Sequence, residues 1–159
     1  MPVEVGQAAP DFTLKDYNNE QFTLSEVLAD KAVLLVFYPL AFSSTCTGEL
    51  CALRDDPASF ASEDVQAVAV SVDSPYSLKV FADREGYQFP MLSDFWPHGE
   101  IARLYGAFND VTGFANRGTF LIDRAGVVRF GEMNEPGQAR DPQRWRDAVR
   151  ELTGAVQGP

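Results

Sequence analysis

The spacing of apolar and polar positions changes period repeatedly along the chain. Between residues 11 and 24, DFTLKDYNNEQFTL alternates on either side of an Asn-Asn pair, which predicts a β-hairpin. AVLLVFYP, residues 32–39, is continuously apolar and rich in β-formers, as a strand covered on both faces must be. From about Cys46 to Glu63 the pattern predicts a helix, with Pro57 marking its end or a break. VQAVAVSVD, residues 65–73, reads as a second buried strand. SPYSLKVFADREG, residues 74–86, predicts a helix capped by Ser74, opened by Pro75 and stopped by Gly86. FPMLSD (89–94) suggests a short strand and GEIARLYGAF (99–108) a helix. GTFLIDRAGVVRFGEM (118–133) reads as two strands about an Asp-Arg-Ala-Gly turn. DPQRWRDAVRELTG (141–154) closes the chain as a helix, with Asp141 as cap, Pro142 at its first position and Gly154 beyond its end.

Strands alternating with helices, followed by a late hairpin, imply an α/β protein: a mixed central sheet flanked by helices on both faces. The expected architecture is thioredoxin-like, with the N-terminal β-hairpin added in front. No repeat, low-complexity segment or linker divides the 159 residues, so residues 1–159 are expected to form one domain.

Charge narrows the range of partners. With 23 acidic against 13 basic residues the formal net charge is −10, a surface that repels nucleic-acid phosphates and anionic lipid. Neither nucleic acid nor membrane is an expected partner. The N-terminus lacks a basic segment followed by an apolar run, and the longest apolar stretch is far short of a membrane span. Two cysteines in a chain of this length do not make a secreted disulfide framework, so a cytoplasmic protein with reduced, reactive thiols is expected.

Both cysteines fall in FYPLAFSSTCTGELCALRD, residues 37–55. Cys46 follows a buried strand, a short loop and a row of hydroxyls from Ser43, Ser44 and Thr45, and it sits where the next helix is expected to start. Unpaired N–H groups and the positive end of a helix dipole lower a thiol pKa and raise the thiolate fraction. Pro39 removes a donor and stiffens the approach, and Ser43 can serve as an N-cap. Cys51 differs in kind. In an ideal helix, residues five apart lie roughly 8–9 Å apart. A disulfide needs Cα atoms within about 7 Å. Cys51 is therefore either a small structural hydrophobe, or a partner that reaches Cys46 only when the helix unwinds. Gly48 would ease such unwinding. His98, the single histidine, is better explained by capping or packing than by catalysis, which argues against Cys-His hydrolase and metal chemistry.

PLAFSSTC, residues 39–46, resembles the Pro-x-x-x-Thr/Ser-x-x-Cys signature of the peroxiredoxins, thiol peroxidases on a thioredoxin fold. APDFTL, LSDFWPHGEIARLYGAF and NRGTFLIDRAGVVRF extend the resemblance along nearly the whole chain. FYPLAF, FWPHG and ANRGTF are similar to the actinobacterial one-cysteine alkyl hydroperoxide reductase E group. The Cys-x-x-x-x-Cys spacing instead resembles the bacterioferritin-comigratory (type Q) group, whose second cysteine resolves the first. The resemblance implies that Cys46 is the peroxidatic cysteine and that Ser43 hydrogen-bonds the substrate oxygens. It further implies that Pro39 shields the site, that Arg117 pairs with thiolate and peroxide, and that Glu49 helps to hold that arginine. From composition alone, Arg117 is not distinguishable from Arg54, Arg103 or Arg124.

The expected reaction is reduction of hydrogen peroxide and organic hydroperoxides, with peroxynitrite a further candidate, and without metal, haem or flavin. With Cys51 resolving, a thioredoxin-like protein is the reductant. With Cys51 a bystander, a low-molecular-weight thiol and a mycoredoxin- or glutaredoxin-like protein complete the cycle. A non-turnover redox sensor on the same fold is the alternative from another class. A thioredoxin-type disulfide reductase would need Cys-x-x-Cys, and the Cys/Sec-Gln-Trp-Asn set of glutathione peroxidase is not apparent. The resemblance fits a monomer or a homodimer.

Overall fold

The structure is a computed structural model and describes residues 2–42, 48–60, 64–135, 138 and 140–157. Inside its sheet runs β3 (Ala32–Phe37), whose six residues are all buried. Ala32, Leu34 and Val36 point into one apolar cluster, while Val33, Leu35 and Phe37 point into another. That two-sided burial is why this strand reads as an unbroken apolar run. β4 (Val65–Ser71) lies parallel to it on one side, and β8 (Arg117–Ile122) antiparallel on the other. With β1 (Thr13–Asp16), β2 (Gln21–Thr23), β5 (Met91–Ser93) and β9 (Val128–Asn134), the mixed sheet has the order β2-β1-β5-β4-β3-β8-β9. The anticipated N-terminal hairpin is the β1–β2 pair, which joins the sheet through β5.

Helices cover both faces, as the two-sided strands require. α2 (Gly48–Asp55), α3 (Pro57–Phe60), α4 (Pro75–Glu85) and α6 (Pro142–Gln157) contribute Leu50, Phe60, Leu78 and Trp145 to the first cluster. α1 (Leu24–Leu28) and α5 (Glu100–Leu104) contribute Leu24, Leu28, Ile101 and Ala102 to the second. α4 is bounded as its sequence predicts. Ser74 Oγ accepts the Ser77 N–H, Pro75 opens the first turn, and Gly86 closes it at φ 75°.

Several elements depart from the pattern. The helix expected over 46–63 is described from Gly48 and is divided at Asp56, because Pro57 has no N–H and opens a new turn, α3. Gly48 is thus the first described helical residue, and the expected first turn at Cys46 lies outside the described residues. The helix expected to reach Phe108 ends at Leu104, and Gly106 follows at φ 73°. The chain then forms a short ribbon that periodicity did not reveal, β6 (Phe108–Asn109) with β7 (Phe114–Ala115). α1 was also missed, since five residues are too few to display a helical period. Gly154 does not end α6, which continues to Gln157. A glycine inside a helix costs only about 1 kcal/mol, so it need not end one. Among the described residues no helix is long and apolar enough to cross a membrane.

Candidate active site

The end of β3 and the start of α2 carry the expected site. Tyr38 N–H donates to Val70 O at 3.0 Å, which extends the β3–β4 pairing one residue past the strand, and Pro39 follows, buried. Ser43 and Cys46 lie outside the described residues. Cys51 is the fourth residue of α2, half-buried and disulfide-bonded rather than a free thiol.

The described part of the site is dominated by one buried carboxylate facing two arginines. Glu49, in the first turn of α2, is 2% exposed. Its Oε1 accepts the backbone N–H of Arg140 at 3.0 Å and Arg140 Nε at 3.3 Å, and lies 3.5 Å from Arg117 Nη1. Arg117 opens β8 with its side chain 12% exposed, while the Arg140 side chain is fully buried. Arg140 Nη1 also donates to Phe37 O (2.7 Å), Gly118 O (3.1 Å) and Thr119 Oγ1 (3.1 Å). One guanidinium therefore ties the ends of β3 and β8 to the first turn of α2. Its Nη2 has no hydrogen-bond partner among the described residues, and its Cζ lies 5.3 Å from the centroid of the Trp145 ring.

Electrostatics follow from this geometry. Burial alone would raise the Glu49 carboxyl, but the Arg140 charge and N–H, together with Arg117, outweigh it and hold Glu49 below the usual range. Burial pushes Arg140 down to about 10 against the pull of Glu49, so it remains a cation at neutral pH. Glu49 is thus shared by two guanidiniums, and Glu132 also acts on Arg140. A guanidinium held in this way favours a thiolate and any oxyanion formed beside it.

The structure brings Glu49 and Arg117 together. The other arginines considered are engaged elsewhere. Arg54 pairs with Asp55 and donates to Glu85 O, Arg103 pairs with Asp110, and Arg124 donates to Ala29 O. Arg140 was missed. It follows a stretch of sequence, EPGQA, with no periodicity, and only the meeting of β3, β8 and α2 gives it partners. His98 Nε2 lies 2.6 Å from Gly113 O, and its ring packs edge-on against Phe108, a packing role.

Comparison with known proteins identifies the class. Residues 5–130 match the AhpC/TSA family, and the chain belongs to that family; it is a peroxiredoxin enzyme with a thioredoxin fold. It is 50% identical over 151 residues to alkyl hydroperoxide reductase E of Mycobacterium tuberculosis, spanning 95% of this chain and 99% of that protein. It is 36% identical over 129 residues to the chloroplastic peroxiredoxin Q of Populus jackii, spanning 80% and 59% respectively. In structure it is similar to Enterococcus faecalis AhpC, with TM-score 0.85 and 27% identity over 100% of this chain and 98% of the other.

Proposed function

We propose that this peroxiredoxin reduces hydrogen peroxide and organic hydroperoxides through Cys46 and is recycled through Cys51. The observation that carries the reading is the buried Glu49–Arg117–Arg140 cluster at the end of β3, where a fixed cation serves a reaction that moves negative charge. The Cys46 thiolate attacks the terminal peroxide oxygen and the O–O bond breaks. The sulfur becomes a sulfenic acid, and the departing alkoxide or hydroxide takes a proton to leave as alcohol or water. Arginine holds its proton at this pH, so Arg117 acts through charge and hydrogen bonds. Ser43 would hydrogen-bond the peroxide, and Pro39 would exclude water from the approach. Cys51 then attacks the sulfenic sulfur, water leaves, and a disulfide forms that a thioredoxin-like dithiol reduces by exchange.

Supporting the second half, Cys51 is disulfide-bonded and Cys46 is the only other cysteine in the chain. The 50% identity to alkyl hydroperoxide reductase E favours the competing cycle, in which a low-molecular-weight thiol and a mycoredoxin-like protein recycle Cys46. Mass spectrometry under non-reducing conditions, after one equivalent of peroxide on fully reduced protein, separates the two. Loss of two hydrogens supports the intramolecular disulfide, whereas gain of one oxygen supports the one-cysteine cycle. An unchanged mass refutes both.

A further inference from the structure

The chain leaving β3 toward Cys46 is held by a contact that the reaction scheme does not use. Asp73, in the turn between β4 and α4, reaches across 32 residues of sequence to accept the Ala41 N–H on Oδ2 at 2.8 Å. The same oxygen accepts Ser71 Oγ–H at 2.7 Å, and the Asp73 carbonyl accepts Ser93 Oγ–H at 2.6 Å. Ser71 and Ser93 are both buried, so Asp73 is locked to the ends of β4 and β5. The next residue held is Phe42, a non-glycine at φ 63°. A left-handed phenylalanine is strained, and such strain persists only where the surroundings over-determine it. Burial does not supply the hold, because Phe42 is 44% exposed. Its ring instead leans on Phe81 (4.9 Å, edge to face) and lies 5.6 Å from the Arg84 guanidinium, both on α4.

We propose that Asp73 is a positioning residue for the peroxide reaction. Its carboxylate fixes Ala41, and with it the strained turn at Phe42, four residues before Cys46. This rests on the peroxidase reading above. An in-line displacement depends on alignment, and a misplacement of about 1 Å can cost on the order of 100-fold in rate. Asp73→Ala frees the Ala41 N–H and lets Phe42 relax to negative φ. Asp73→Glu keeps the charge but moves the carboxylate by one methylene. Asp73→Asn keeps an oxygen for the Ala41 N–H.

The test is stopped-flow oxidation of the reduced protein by hydrogen peroxide across a pH series, with thermal melts recorded alongside. Asp73→Ala and Asp73→Glu are expected to slow oxidation by roughly 10- to 100-fold and to shift the pH midpoint of the rate, and Asp73→Asn to recover most of both. If Asp73→Ala does not fold, Asp73→Glu decides. A folded Asp73→Ala or Asp73→Glu with a lowered melting temperature but the wild-type rate and pH midpoint overturns the proposal, since the role is then structural only. A wild-type protein that peroxide fails to oxidise refutes the peroxidase reading itself.

Discussion

Replacing Glu49 by glutamine removes one charge, keeps the side-chain shape, and leaves Arg117 and Arg140 facing each other without their shared anion. At an effective dielectric of about 20, unit charges about 3.5 Å apart interact by roughly 4–5 kcal/mol before desolvation is counted. Losing one partner of a buried pair costs about 3–5 kcal/mol in practice. Glu49 and Arg140 are both almost wholly inaccessible, so solvent screening removes little of this. We expect Glu49→Gln to lose about 3 kcal/mol in denaturant unfolding, a large share of the roughly 5–15 kcal/mol of an ordinary domain. For a domain of this size that corresponds to roughly 6–12 °C in melting temperature. The acid limb of the stability curve should flatten as well. The folded-state pKa of Glu49 is lowered, so its contribution is complete above the unfolded value near 4.5 and is lost as pH falls through the folded value. Combining Glu49→Gln with Arg140→Met removes both members of the buried pair, so the double variant should be less destabilised than the sum of the two single ones. Stopped-flow oxidation by peroxide should slow in Glu49→Gln, because Arg117 loses an anchor. A loss below about 1 kcal/mol with additive single variants would refute the reading of this cluster as a coupled charge network.

Three further outcomes are expected. Cys46→Ser should abolish peroxide consumption in a coupled assay; normal turnover would overturn the assignment of the nucleophile. Cys51→Ser should leave the first oxidation fast while halting thioredoxin-coupled turnover, and unaltered turnover with thioredoxin would remove Cys51 from the cycle. Asp94 accepts the Ile101 and Ala102 N–H groups at the start of α5, yet burial pushes its carboxyl up to about 6. The sign is opposite to that of Glu49. Its stabilising contribution is complete below the unfolded value near 3.8 and is lost as pH rises through about 6. Asp94→Asn should therefore flatten the stability curve between about pH 4 and 6, and an unchanged slope there in denaturant titrations would contradict the shift.

Much of the architecture is legible because it is local. The alternation within DFTLKDYNNEQFTL, the caps Ser74 and Gly86, and the unbroken run of β3 each follow from a period or a backbone preference acting over a few residues. What escaped was too short to show a period, as with α1 and the β6–β7 ribbon, or turned on a weak stop signal, as where α6 passes through Gly154. The resemblance of PLAFSSTC made the expected nucleophile readable, and that of NRGTF marked Arg117 among four arginines of equal chemistry.

The sequence by itself determined the class of fold, the order of its principal elements and where the reactive thiol should be sought. Tertiary structure alone decided that Arg140 joins the Glu49–Arg117 pair that the resemblance implied. Glu49, Arg117 and Arg140 come from α2, β8 and the loop before α6, and nothing in the spacing of those segments announces their contact. Likewise, no local rule ties Asp73 to Ala41. Hydrophobic period is a property of neighbours in sequence, and it decides which face of an element is buried. The partners of a buried charge are fixed only when separate elements have packed and each polar group left between them must find another.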